Sequence, residues 1–137
     1  MYEVFEHTAD VGLRIRASTL DQLLVDAGQG LFSLIVTNLA EVDRVCERSY
    51  RIDRGGDDDY LLFDWLSELL YAFESERLLF SSFLPRLKAD RFEATCWGQP
   101  MDLERHVMNY EVKAVTYHGL TVSELDGQWL GEVILDI

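Results

Sequence analysis

Residues 60–76 read Tyr-Leu-Leu-Phe-Asp-Trp-Leu-Ser-Glu-Leu-Leu-Tyr-Ala-Phe-Glu-Ser-Glu and carry large apolar side chains at helical spacing. This width of apolar surface exceeds the single stripe of an ordinary surface helix and predicts a central helix, buried on most of its sides. Gly55-Gly56 predict a turn before it. Asp57-Asp58-Asp59 predict an N-terminus where carboxylates meet the positive end of the helix dipole. The apolar positions are Leu61, Leu62, Trp65, Leu66, Leu69, Leu70 and Phe73.

A second helix is predicted immediately after Ser18-Thr19. Ser18 with Asp21, or Thr19 with Gln22, forms a capping box, and leucine and alanine follow at helical spacing through position 34. Gly28 and Gly30 within it indicate close packing against a neighbouring element.

The rest of the chain is dominated by alternating, strand-like runs separated by turn residues. Asp126-Gly127 is the strongest hairpin signal among these turns. We therefore predict an α+β fold, with two main helices packed on a mostly antiparallel mixed β-sheet in one domain, residues 1–137. The predicted strands are 2–5, 11–17, 45–52, 80–88, 92–97, 112–117, 120–125 and 129–136.

The charge balance excludes several classes of function. Twelve Lys and Arg residues against 25 Asp and Glu residues give a formal net charge of −13, which disfavours direct binding of nucleic acid. A basic protein partner or bound cations fit this charge, and so does a plain role in solubility. No apolar run approaches the roughly 18 residues of a membrane span, so we expect a cytoplasmic monomer or weak oligomer. Cys46 and Cys96 form no CxxC pair and are predicted to be small buried hydrophobes.

The last two residues, Asp136-Ile137, follow directly on the apolar run Val133-Ile134-Leu135. We expect a side-chain carboxylate and an α-carboxylate there, both ionised at neutral pH and both in need of a metal ion, a lysine or an arginine. Asp10 is a third candidate, because first and last elements often lie close together. Three oxygen anions favour Ca²⁺, Mg²⁺ or Mn²⁺ over zinc. From spacing alone, however, Asp10 is better interpreted as a turn former or a cap residue of a helix or strand.

Lys113 interrupts an apolar run and is open to two interpretations. Its ammonium either extends into solvent or contacts a phosphate, a carboxylate or a partner protein. His7, His106 and His118 have no metal-ligand spacing, so we expect hydrogen-bonded structural histidines. Phosphate-binding loops and the GxSxG nucleophile motif are absent from the sequence.

Taken together, the motifs make the sequence similar to the archease family over essentially its whole length. Four segments carry the resemblance: His7-Thr8-Ala9-Asp10-Val11-Gly12, Asp64-Trp65-Leu66-Ser67-Glu68-Leu69-Leu70-Tyr71, Glu111-Val112-Lys113-Ala114-Val115-Thr116-Tyr117-His118-Gly119 and Leu135-Asp136-Ile137. Residues 55–59 and 86–109 diverge from the family pattern, so the resemblance says little about partner contacts there.

The resemblance implies an archease-like domain that assists an RtcB-type RNA ligase in the cytoplasm. That ligase joins RNA ends through a covalent GMP-histidine intermediate, and archeases promote its guanylylation and multiple turnover without catalysing ligation. The resemblance also implies a divalent metal held by Asp10, Asp136 and the carboxylate of Ile137. It implies roles for Lys113, and for His7 and His118 in the matching motifs, in activity or partner contact.

Two other functions remain open at this stage. A stand-alone metal-dependent phosphoesterase would use the same carboxylates with His7 as base, and it would hydrolyse a phosphate ester without any ligase. A general chaperone or binding module would need neither the metal nor a specific ligase.

Overall fold

The computed structural model describes residues 1–7 and 9–137, without the side chains of residues 6 and 7. Both predicted helices are confirmed, with the central one beginning two residues earlier than expected. In chain order the elements are β1 (Tyr2–His7), β2 (Asp10–Ala17), α1 (Leu20–Ile35), β3 (Cys46–Asp53), α2 (Asp58–Glu76), β4 (Leu78–Leu87), β5 (Arg91–Pro100), β6 (Ala114–Val115), β7 (Thr121–Leu125) and β8 (Gln128–Asp136), with a short 3-10 helix at Leu39–Glu41.

Helix α2 is buried along the face that its apolar residues predict. Trp65 is fully buried, and its indole N–H donates to the carbonyl oxygen of Leu24 in α1 at 2.8 Å. That hydrogen bond satisfies the polar atom of the largest core side chain. At its start, the carboxylate of Asp57 accepts a hydrogen bond from the backbone N–H of Asp59. Arg77 ends the helix in the left-handed conformation.

Helix α1 lies between two layers and is buried on nearly all sides. Its cap is Thr19, whose hydroxyl accepts from the backbone N–H of Gln22, while the side chain of Gln22 donates to Asp26. Thr19 rather than Ser18 is therefore the capping residue. A Cβ atom added at Gly28 would lie 3.1 Å from Cζ of Phe83 and 3.2 Å from Cδ1 of Leu69, which is tighter than most Cβ contacts. The close packing predicted for this glycine is therefore confirmed.

The predicted α+β class is confirmed, but the strands form two sheets rather than one mixed sheet. Strands β1, β2, β8, β6 and β7 form a five-stranded sheet, and β3, β5 and β4 form a three-stranded sheet. Among the described residues every strand pairing is antiparallel. Because α1 is apolar on two sides, it packs against β2 of one sheet and β4 of the other.

The predicted strand 112–117 is shorter than expected, since only Ala114–Val115 pair as β6. Strand β7 occupies the first half of the same edge of β8, which leaves Leu135 and Asp136 as partners for β6. The hairpin predicted at Asp126-Gly127 is confirmed, with both residues at positive φ as its tight turn requires.

Cys96 behaves as a small buried side chain, as predicted, whereas Cys46 is half-buried. Burial raises the pKa of the Cys96 thiol to about 12, so it stays protonated at neutral pH. Neither helix of the described chain is long and apolar enough to cross a membrane.

Candidate functional site

The antiparallel register of β2 and β8 places Asp10 directly opposite Asp136. On the other side of β8, Asp136 lies opposite Ala114 of β6, and on the other side of β2, Asp10 lies opposite His7 of β1. Residues directly opposite each other share one face of a sheet, with Cβ atoms roughly 5 Å apart. Two aspartates that are 126 positions apart in the sequence are therefore neighbours at one end of the five-stranded sheet.

These two aspartates lie on the sheet face that points away from the helices. Val11 and Leu135, their neighbours in sequence, are fully buried in the core. Because side chains alternate between the two faces of a strand, Asp10 and Asp136 point to the opposite face, where each is half-buried. The side chain of Ile137 packs against the hydrophobic core and fixes the backbone that continues from Asp136.

Lys113 adjoins Asp136 through the main chain. Its backbone N–H donates to the carbonyl oxygen of Asp136 at 2.7 Å, and its exposed side chain lines a cleft of about 260 Å³. Phe73, Glu74 and Arg77 from the end of α2 line the same cleft. Lys113 therefore lies at the junction between the aspartate pair and the end of the central helix.

The histidines occupy three different settings. The backbone of His7 pairs with Asp10, while its side chain, like Thr8, lies outside the described residues. His118 is exposed in a turn, where its N–H donates to the hydroxyl of Thr116. His106 is buried and accepts a hydrogen bond from the N–H of Asp102, so the structural role predicted for it is confirmed.

Phe5 is a neighbour of the aspartates that the sequence did not single out. Its ring covers Gly12, where an added Cβ would lie only 2.1 Å from the ring atom Cζ. The guanidinium of Arg14 lies 4.8 Å from the ring centre, a cation–π contact that holds the ring in place. The ring of Phe5 therefore fills the space that the glycine leaves open at position 12.

The aspartate pair can supply hard oxygen donors to a cation. Like charges directly opposite each other in a sheet are destabilising, and a cation between them removes that cost. In the described part of the chain, no three His, Cys, Asp or Glu side chains cluster as a metal site.

The fold and the aspartate pair define a class of small α+β proteins in which the second and the last strand carry facing aspartates at one end of a sheet. The chain matches the model of the Archease protein family (MTH1598/TM1083) over residues 2–137. It is 40% identical to protein archease of Methanopyrus kandleri, with 99% of each chain covered. It is 33% identical to protein archease of Pyrococcus furiosus, covering 99% of this chain and 98% of that protein.

Solved structures agree with this match. The solution structure of Methanobacterium thermoautotrophicum protein 1598 has a TM-score of 0.82 and 30% identity, covering 99% of this chain and 98% of that chain. An archease from Thermotoga maritima, described as a possible chaperone, has a TM-score of 0.66 and 17% identity and so shows the fold alone. The chain belongs to the Archease protein family, which confirms the resemblance carried by its motifs.

Proposed function

We propose that this protein is a metal-binding accessory factor, rather than an enzyme, that activates an RtcB-type RNA ligase in the cytoplasm. The observation that carries the proposal is the cross-strand pair of Asp10 and Asp136. Family membership supports the accessory role, and the pair supplies a chemical reason for the metal. The net charge of −13 supports a protein partner rather than direct binding of RNA.

The donor set fits a hard divalent cation such as Ca²⁺, Mg²⁺ or Mn²⁺. The carboxylates of Asp10, Asp136 and Ile137 would hold it, and all three are oxygen donors. When bound, such an ion supplies positive charge that can neutralise phosphate oxygens during nucleotidyl transfer. The chain's own contribution is positioning, because Asp136 is held in register by β2 on one side and β6 on the other.

Lys113 is the cation of the chain nearest to this pair along the β6 edge. Its main-chain bond to Asp136 fixes where its side chain starts, and its exposure leaves the ammonium accessible to a partner. We assign it contact with the ligase or with a nucleotide phosphate held there. We assign partner contact also to His7, at the end of β1, and to His118, in the turn that follows β6.

The test measures formation of the GMP-ligase intermediate and multiple-turnover ligation, with and without this protein. The variant Asp136→Asn keeps the shape of the side chain and removes one ligand charge. We expect it to lose stimulation and to bind Ca²⁺ or Mn²⁺ at least about tenfold more weakly by isothermal titration calorimetry, since ligand-shell changes commonly cost roughly 10–100-fold.

Glu124→Gln is the matched control, because it removes one exposed carboxylate from β7 and should leave both measurements unchanged. Full stimulation by Asp136→Asn would contradict the proposal. Hydrolysis of a phosphate diester by this protein with metal and without ligase would instead indicate an enzyme. Protection of unrelated proteins from aggregation that survives Asp136→Asn would indicate a general chaperone.

A further inference from the structure

The outer face of α2 carries two exposed aromatic rings, of which Tyr60 also contacts the ring of Tyr117 edge to face, with ring centres 5.9 Å apart. Tyr60 is 55% exposed and Tyr71 is 65% exposed. Positions 60, 64, 67 and 71 are spaced by three or four residues and so form one stripe along the helix. Asp64 and Ser67 lie between the two tyrosines on this stripe, opposite the buried side of Trp65. Large aromatic rings left in solvent at this spacing are typical of an interaction surface.

A groove runs beside this stripe, between α2 and β3. Its volume is about 430 Å³, and Ile52, which is buried, contributes to its lining. Asp64, Glu68 and Tyr71 line it from the helix, and Asp53 and Arg51 line it from the strand. Nε of Arg51 lies 3.8 Å from Oδ1 of Asp53, so this ion pair partly neutralises the charge of the arginine within the groove. The helix wall therefore contributes two carboxylates and an aromatic ring, and no cation.

The charged side chains of α2 are all acidic, and repulsion among them costs stability. Residues 58–76 contain six carboxylates and no lysine, arginine or histidine. Three of the six have partners: Asp58 pairs with Arg54, Asp59 accepts from the N–H of Val122, and Glu76 pairs with Arg48.

Asp64 and Glu68 have no ion pair or hydrogen bond from their side chains within the described residues. They stand four residues apart, where like charges on a helix repel. Partial desolvation raises the pKa of the exposed Asp64 above its ordinary value. Glu74 and Glu76 oppose the helix dipole in the last turn. A cationic group brought to this face would offset these costs.

We propose that the outer face of α2 and its groove dock an arginine-bearing segment of a basic protein partner. A guanidinium can stack on a tyrosine ring and bind a carboxylate with two parallel hydrogen bonds, and the stripe offers both kinds of group side by side. Lysine lacks the planar fork for this geometry. RNA and anionic membranes carry the same sign of charge as this surface, so they are disfavoured occupants. Only the identity of the partner, an RtcB-type ligase, depends on the proposed function.

The first test maps binding directly on the full chain. We would titrate it with a short alanine-arginine peptide and follow the backbone amides by NMR, with the citrulline version of the peptide as a neutral control. We expect shifts at Asp64, Glu68 and Tyr71 with arginine and none with citrulline. The double variant Asp64→Asn/Glu68→Gln should weaken binding about tenfold or more, whereas Glu104→Gln/Glu124→Gln, which removes two exposed carboxylates elsewhere, should not.

Shifts centred on the Asp10–Asp136 edge, equal shifts with citrulline, or equal shifts with a single-stranded RNA would each overturn the docking proposal. The second test uses the ligase itself, with binding and stimulation measured separately. Asp64→Asn/Glu68→Gln should weaken ligase binding, whereas Asp136→Asn should still bind and fail to stimulate. If the unaltered protein does not bind the ligase, the proposed function fails, and the peptide map alone decides the docking surface.

Discussion

Two rows of side chains on one face of the five-stranded sheet show opposite electrostatic arrangements. In the first row, Arg14 of β2 stands between Glu3 of β1 and Glu132 of β8, and its guanidinium bonds both carboxylates at 3.3 and 2.5 Å. In the second row, four residues along β2, Asp10 stands opposite Asp136. The same two strands thus carry one row of alternating charge and one row with like charges opposite each other.

The two rows of charges contribute to folding with opposite sign. Opposite charges across a sheet contribute favourably to folding, and like charges oppose it by a similar amount. Arg14 faces a glutamate on each side, whereas Asp10 faces Asp136 on one side and the backbone of His7 on the other. In the proposed function, the facing aspartates of the second row would bind a cation, whereas the first row stabilises the sheet.

The largest expected effect comes from adding a divalent cation to the facing aspartates of the second row. Ca²⁺ at about a hundredfold above its dissociation constant should raise the free energy of unfolding by about 2.7 kcal/mol, through preferential binding to the folded state. In Asp136→Asn this stabilisation should disappear, while the ion-free variant should unfold at a slightly higher temperature than the unaltered protein. Thermal unfolding with Ca²⁺ and with EDTA measures both shifts. An equal Ca²⁺ shift in variant and parent would show that the ion binds elsewhere.

A smaller effect is expected from the residue between the two rows. Gly12→Val places a side chain where the Phe5 ring now lies, and the ring must move away from its position beside Arg14. Overpacking of this kind costs about 2 kcal/mol. Urea unfolding measures it, and Gly55→Val, at a position with open space around it, is the matched control. Unchanged stability of Gly12→Val would show that the Phe5 ring can leave its position over residue 12 without cost.

The smallest effect concerns the pH dependence of the alternating row. Hydrogen bonds from Arg16 and Arg14 lower the pKa of Glu3 below its ordinary value of 4.5. Because a lowered pKa stabilises the folded state above the unfolded value, this stabilisation is present above about pH 4.5 and is lost as the pH falls through the folded pKa. Arg14→Gln should therefore be less stable than the parent at pH 7, and the gap should narrow in acid. A gap that is constant with pH, measured by urea unfolding, would contradict the ion-pair explanation.

The sequence predicted the parts of the fold that depend on local pattern. The apolar spacing of residues 60–76 predicted α2 and its buried side, and Asp126-Gly127 predicted the final hairpin. It did not predict that the strands divide into two sheets, because hydrogen-bond partners between distant strands leave no periodic trace. For the same reason 112–117 was predicted as one strand, whereas β7 takes most of the edge that it would have paired with.

The residues of the candidate site were likewise predicted only in part. Composition and motif identified Asp10, Asp136, Ile137 and Lys113 as residues of interest, because charged groups beside apolar runs are visible in one dimension. Phe5 was missed, since its significance depends on the glycine that lies opposite it in the neighbouring strand. The outer face of α2 was not predicted either, because the exposure of its tyrosines and carboxylates depends on which elements pack against the helix.

The sequence by itself determined the helices, the hairpin, the acidic character and the family, all of which follow from local order and composition. Only the tertiary structure decided that Asp10 faces Asp136 and that Arg14, four residues further along β2, binds two glutamates. The physical reason is that register is set by which strands pair and by how the core face is buried, and a shift of one residue would turn every side chain to the other face. The burial of Val11, Leu13, Val133 and Leu135 fixes that register and so places the aspartates together.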